Sequence, residues 1–312
     1  MKYRHGEALF QKLVITIIII VFYSVSIVNG GDWHQLSHPP SAPSQSVCPD
    51  CHTMHYSDKG KIPESPAEVG GPFRHLLLTN TTNALCLTCH DGTDTDAPDV
   101  VYPVTYTSDT AGGYFANSGG IASDNAHNLG MPSGEIPPGS SDSLILSCAS
   151  CHNPHGNSNY RNLLFNPAGS GNSSNVDVIV YQTNTADGPG GRSPADVYVP
   201  ANIIYQRGMS DWCNDCHPNF HGTSETGAPE PWFRHPQDVT ISGRNHADYT
   251  HWSGIINNRV EVESPYDTIV PSTDDEVFCL SCHKAHGSAY KSSLIYADET
   301  RMLSTCQQCH NQ

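Results

Sequence analysis

The chain has 312 residues with 15 Lys+Arg against 31 Asp+Glu, a formal net charge of −16, which argues against nucleic acid as a partner. Its 26 glycines and 23 prolines, with only 15% charged residues, argue against long helices or broad sheets as the framework. A chain of this length would ordinarily bury a sizeable core, so something other than regular secondary structure has to fill the interior.

From the N-terminus, Lys2, Arg4 and Lys12 are followed by an apolar run from Leu13 to Val28 and then Asn29-Gly30. This is the order of an export leader, with cleavage expected after Gly30. The run is 16 residues long and falls short of the ~20 that span a bilayer comfortably, although an uncleaved anchor is the alternative. Residues 1–30 are therefore expected to be a signal peptide and residues 31–312 one mature domain. Losing three basic residues and Glu7 leaves 12 Lys+Arg against 30 Asp+Glu, a charge of −18. No later stretch is long and apolar enough to cross a membrane.

Six copies of Cys-x-x-Cys-His then follow and use every cysteine: Cys48/Cys51/His52, Cys86/Cys89/His90, Cys148/Cys151/His152, Cys213/Cys216/His217, Cys279/Cys282/His283 and Cys306/Cys309/His310. The pattern reads as covalent c-type haem attachment, two thiols bonding the porphyrin edge and the adjacent imidazole ligating iron. With 18 histidines in the chain, random placement would set one behind all six pairs only about 4 times in 10⁸. Disulfides or structural zinc would not need a histidine after every pair. Six covalent haem c groups are expected, and as large flat apolar bodies they can serve as the core.

Between the motifs the expected structure is irregular, with short helical turns at the attachment sites and a few short strands. Val100–Tyr106 is one strand candidate, confined to an edge by Pro103. Residues 148–165 and 279–296 form an internal repeat, with a weaker echo at 48–55. The Gly- and Pro-rich stretch 166–200 is interrupted by β-branched runs at 176–183 and 196–199, which suggest short strands and allow a hairpin. The first cysteines of successive motifs lie 38, 62, 65, 66 and 27 residues apart, leaving no room for a separate catalytic domain.

Eleven histidines outside the motifs and the leader can supply a sixth iron ligand: His34, His38, His55, His75, His127, His155, His221, His235, His246, His251 and His286. His55, His155 and His286 each lie three residues after a motif histidine. A three-residue tether spans at most ~10 Å and starts pinned to one porphyrin face, so each of these can serve only the iron of another haem. His221, four residues after His217, is restricted in nearly the same way. With four methionines in the mature chain, an all-His/Met ligand set is impossible.

Cys-x-x-Cys-His-Thr-Met-His at 48–55, Ala126-His127-Asn128, Cys-x-x-Cys-His-Asn-Pro-His-Gly at 148–156, Gly208-Met-Ser-Asp-Trp-Cys at 208–213, Arg234-His235-Pro236 and Cys-Leu-Ser-Cys-His-Lys-Ala-His at 279–286 occur in this order. In order and spacing they resemble the extracellular cytochrome nanowires, hexahaem outer-surface cytochromes of metal-reducing bacteria that polymerise into conductive filaments. The resemblance implies distal ligands at His55, His127, His155, His221, His235 and His286, with His246 or His251 as alternatives to His221. It also implies that His55 ligates a haem of the adjacent subunit, the one held by Cys279, Cys282 and His283.

The function expected is a conduit for single electrons along bis-histidine haems, exported to the cell surface, with itself, other cytochromes and external acceptors such as metal oxides as partners. A monomeric periplasmic shuttle is the alternative. A nitrite, hydroxylamine or sulfur-oxyanion reductase would need an iron with an open position, often marked by an irregular motif, and all six motifs are regular. No catalytic residue is expected.

Overall fold

The computed structural model describes residues 26–27, 51–53, 71, 73–93, 97, 99–101, 112–115, 125–130, 134, 136–140, 143–167, 175–182, 203–223, 234–241, 261–265 and 274–295. Short helices and strands stand in a framework of turns and extended chain. Helix α1 covers Thr82–His90, the one-turn α2 Cys148–Cys151 and α3 Met209–Asn214. Strands β1 (Ser26–Ile27), β2 (Ile179–Gln182) and β3 (Ile203–Arg207) form one antiparallel sheet, and β4 (Val239–Thr240) pairs with β5 (Glu276–Val277) in another. No helix among the described residues is long and apolar enough to cross a membrane.

Three stretches share one construction. In each, an attachment motif is crossed by a second segment: Leu77 bridges His52, Leu163 bridges His152 and Leu294 bridges His283. The next residue then donates its N–H to the motif's second cysteine, Leu78 to Cys51 O at 3.0 Å, Leu164 to Cys151 O at 2.8 Å and Ile295 to Cys282 O at 2.9 Å. Each crossing segment enters through a 3-10 turn, at Arg74–Leu76, Tyr160–Asn162 and Lys291–Ser293. The last two residues of every turn are left-handed: φ is 59° and 58° at His75 and Leu76, 52° and 56° at Arg161 and Asn162, 56° and 60° at Ser292 and Ser293.

Such a conformation costs a residue with a Cβ about 1–2 kcal/mol. Ser292→Gly should therefore stabilise the protein by roughly 0.5–1 kcal/mol, because removing the strain outweighs glycine's extra chain entropy. Ser292→Val should destabilise it, and denaturant melts of the two variants check the pair. The repeat at 148–165 and 279–296 thus has a full third copy. In the first copy 25 residues separate His52 from Leu77, against 11 from His152 to Leu163 and from His283 to Leu294, and that insertion reduced it to an echo in the sequence.

The apolar core joins the second and third copies through the hairpin. Tyr160, Leu163, Val178, Val180, Ile203, Tyr205, Met209, Phe278 and Leu280 are buried together, with Trp212 against them. The Tyr205 ring lies edge-on to Tyr160 at 5.8 Å and 5.0 Å from Phe278, and Trp212 Nε1–H donates to Leu164 O at 2.7 Å. Phe278 is 1% exposed, so its truncation to Ala would cost about 3–5 kcal/mol.

The strand expected within 176–183 is β2. Its hairpin partner is not the 196–199 run but β3, with Val180 opposite Tyr205, Tyr181 opposite Ile204 and a register shift at Ile179. Ile203, Ile204 and Tyr205 are all buried, so the partner is a continuous apolar run rather than the alternating one read at 196–199, which lies outside the described residues. Of the Val100–Tyr106 candidate, only Val101 is seen to pair, in a bridge to Phe115, and residues 102–106 are outside the described set. On its other edge β2 pairs with β1, inside the segment expected to be the leader. Gly208 ends β3 at φ 90°, and a Cβ there would strike the Asp177 carbonyl, so the tight passage from β3 into α3 requires glycine.

Candidate multihaem site

Helical turns present the attachment residues. Positions three apart on a helix share a face, so both thiols of a motif point the same way and the histidine follows at the turn's end. The histidine itself closes the turn: N–H groups of His152, His217 and His283 donate to the carbonyls of Cys148, Cys213 and Cys279 at 3.0, 3.0 and 3.1 Å. Equivalent serines cap two of these turns, since Ser150 Oγ accepts Ser147 N–H at 3.0 Å and Ser281 Oγ accepts Phe278 N–H at 3.2 Å. In α1, Thr81 caps the helix by accepting Ala84 N–H at 3.1 Å, and Cys86, Cys89 and His90 occupy its end.

Successive motifs are fastened together. Asn83, three residues before Cys86, accepts Cys148 N–H on Oδ1 at 2.9 Å, and Ser210, three before Cys213, accepts Cys279 N–H on Oγ at 3.4 Å. The thiols of Cys86 and Cys148 lie close to each other, as do those of Cys213 and Cys279. Cys51 and Cys86 stand close enough to influence each other electrostatically, and so do Cys151 and Cys216. Burial, with these neighbours, pushes the Cys151 thiol up to about 12. The described attachment points therefore adjoin one another in sequence order, from the first motif to the fifth. None of the nine described cysteines is in a disulfide.

The histidines are oriented by backbone carbonyls. Nδ1–H of His52, His152 and His283 donates to the first left-handed residue of the crossing turn, His75 O at 3.0 Å, Arg161 O at 2.9 Å and Ser292 O at 2.8 Å. His217 donates to Pro138 O at 2.9 Å, His127 to Ala285 O at 2.6 Å, His235 to Pro236 O at 2.7 Å and His286 to Gly113 O at 3.3 Å. A carbonyl can only accept, so Nδ1 carries the proton and the Nε2 lone pair is left for a metal. Burial holds His152, His217 and His283 below the usual imidazole range and pushes His286 down to about 3, keeping them neutral.

Among the described residues, three imidazole pairs stand at similar separations. Ring centroids are 6.2 Å apart for His52 and His155, 6.2 Å for His152 and His286, and 6.1 Å for His127 and His217, with 14°, 70° and 37° between the ring planes. Two metal–nitrogen bonds of roughly 2 Å, plus about 1.1 Å from nitrogen to ring centre on each side, put the ring centres of the axial imidazoles of one iron about 6.2 Å apart. The residues fit a bis-histidine haem. Gly287 permits one such arrangement: at φ 152° it lies where a Cβ would meet Ala126, which lets His127 N–H reach His286 O at 2.9 Å.

His221 differs. Its Nε2 lies 3.1 Å from Asp238 Oδ2 and 3.4 Å from Asp211 Oδ1, and the Asp238 hydrogen bond raises its pKa. Cys48, Cys306, Cys309, His310 and His55 lie outside the described residues. The Asn83 and Ser210 fastenings were not foreseen, although their shared offset of three residues before a motif was there to be read.

A family model described as a doubled CXXCH motif matches residues 270–312. C-type cytochrome OmcS of Geobacter sulfurreducens is 24% identical over 348 aligned positions, covering 78% of this chain and 77% of the relative. The cryo-EM structure of the OmcS nanowires of the same organism matches with a TM-score of 0.52 and 20% identity, over 80% of this chain and 83% of that one. The fold is OmcS-like. OmcS likeness in motif order and in fold thus coincide, and the coil-rich framework with short helices and strands is the architecture expected from the sequence.

Proposed function

We propose that the chain is an exported hexahaem c-type cytochrome, residues 31–312 after loss of leader 1–30, that conducts electrons along bis-histidine haems and polymerises into an extracellular filament. The facing imidazole pairs carry this reading. A bound haem would supply a reversible one-electron iron couple. The chain's own residues would hold both axial positions at the haems of His52, His152 and His217, which would leave those irons no open position for a substrate, and they set successive attachment points side by side.

The pairs also suggest a rule for the remaining ligands. His155, beside the third motif, stands opposite His52 of the first, and His286, beside the fifth, stands opposite His152 of the third. The same backward step of two motifs has no target for His55, beside the first motif, within its own chain, and in a preceding copy it leads to His283 of the fifth. Among the described residues no imidazole faces His283. A second copy of the chain supplies what is missing: His55 of one subunit completes the iron held by Cys279, Cys282 and His283 of its neighbour. His127, between the second and third motifs, serves His217 of the fourth, and by the same step His235, after the fourth motif, serves His310 of the sixth. The haem of His90 takes the one ligand left, from His221, His246, His251 or the N-terminal His34 and His38. The nanowire architecture of OmcS supports assembly of this kind.

Mass spectrometry and electron paramagnetic resonance of the purified protein test the reading. Six thioether-bound haems and purely low-spin ferric iron are expected; a mature mass equal to the bare polypeptide, or rapid cyanide binding at one iron, would contradict it.

A further inference from the structure

Resting on that reading, we propose that Asp211, His221 and Asp238 form a divalent transition-metal site, separate from the haem irons, where the segments bearing the fourth and fifth motifs meet. The first ground is orientation. His127, His235 and His286 each donate from Nδ1 to a carbonyl, whereas His221 aims Nε2 at two carboxylates. A proton shared there occupies the position a haem iron would need.

The second ground is the donor set. One ligand atom from each of the three residues lies within 4.8 Å of the others. Ligands 2.0–2.2 Å from a zinc-like ion sit about 3–4 Å apart, so small side-chain rotations complete the set. One imidazole with two carboxylates suits zinc, manganese or ferrous iron better than calcium, which favours oxygen alone.

The third ground is an oxygen without a partner: Asp238 Oδ1 is buried and accepts no hydrogen bond. A bound cation would give that carboxylate a second partner beside His221. Asp211 sits on α3 beside Cys213, while Asp238 leads into β4, whose partner β5 leads to Cys279. The metal would therefore tie together the two attachment segments joined by the Cys213–Cys279 contact.

Zinc titration of the chelator-treated holoprotein by calorimetry tests this, with the haem count taken on the same sample. One saturable zinc per subunit is expected. Asp238→Asn and the more exposed Asp211→Asn should each weaken zinc tenfold or more, and His221→Ala should abolish the site while all six irons stay low-spin. Unchanged affinity in both Asp variants, or no saturable zinc in the parent, overturns the proposal. So does a high-spin iron in His221→Ala, which would return His221 to a haem. A haem count other than six would sink the hexahaem reading alone, because the zinc stoichiometry still decides the metal site.

Discussion

Replacing His155 by Ala should convert one iron in six to a high-spin, five-coordinate state, and that iron should be the one bound by Cys48, Cys51 and His52. The reason is the pairing of His155 with His52 across 6.2 Å, which spans two attachment motifs rather than one. The identity of the affected haem can be read by epistasis. In a Cys48→Ala/Cys51→Ala background, His155→Ala should create no additional high-spin signal, whereas in a Cys148→Ala/Cys151→Ala background the signal should persist. His286→Ala should behave in parallel for the haem of Cys148 and Cys151. High-spin iron that disappears with a motif's own haem would show that each histidine serves locally and would undo the ligand scheme.

His55→Ala should leave six attached haems, expose one five-coordinate iron per subunit and impair assembly. An interface that loses an iron–imidazole bond should need at least about 100-fold more protein to form filaments, equivalent to nearly 3 kcal/mol. Added imidazole should restore six-coordination without restoring filaments, because it fills the iron without linking the subunits. Sedimentation together with the electron paramagnetic resonance spectrum separates these outcomes. A variant that is fully six-coordinate and assembles at the parent concentration would place the ligand of His283 inside its own subunit.

Both expectations rest on how chemistry and tether length constrain histidine, which can be argued from the sequence. Six complete motifs point to the attachment residues, and the three-residue tethers of His155 and His286 argue against their own haems. What the tether could not supply was the partner, because His155 and His52 lie about a hundred residues apart and only the fold joins them. The crossing turns were less readable. Arg161, Ser292 and His75 act through their carbonyls, which any residue type carries, so nothing in their side chains marked them. The hairpin partner β3 was missed because Ile203-Ile204-Tyr205 shows no alternation, being buried throughout. His221 shares the spacing of the other candidate ligands, and the direction of its Nε2, toward Asp238 and Asp211, is set by the fold and carries no mark in the sequence.

The continuity of the haem line across subunits is the central claim, and a cryo-EM map of the native protein tests it most directly. The account predicts filaments with six haems per subunit, His155, His286 and His127 opposite His52, His152 and His217, and His55 crossing to the neighbour's His283. Monomers, or filaments in which the iron of His283 is completed from its own chain or left open, would contradict it.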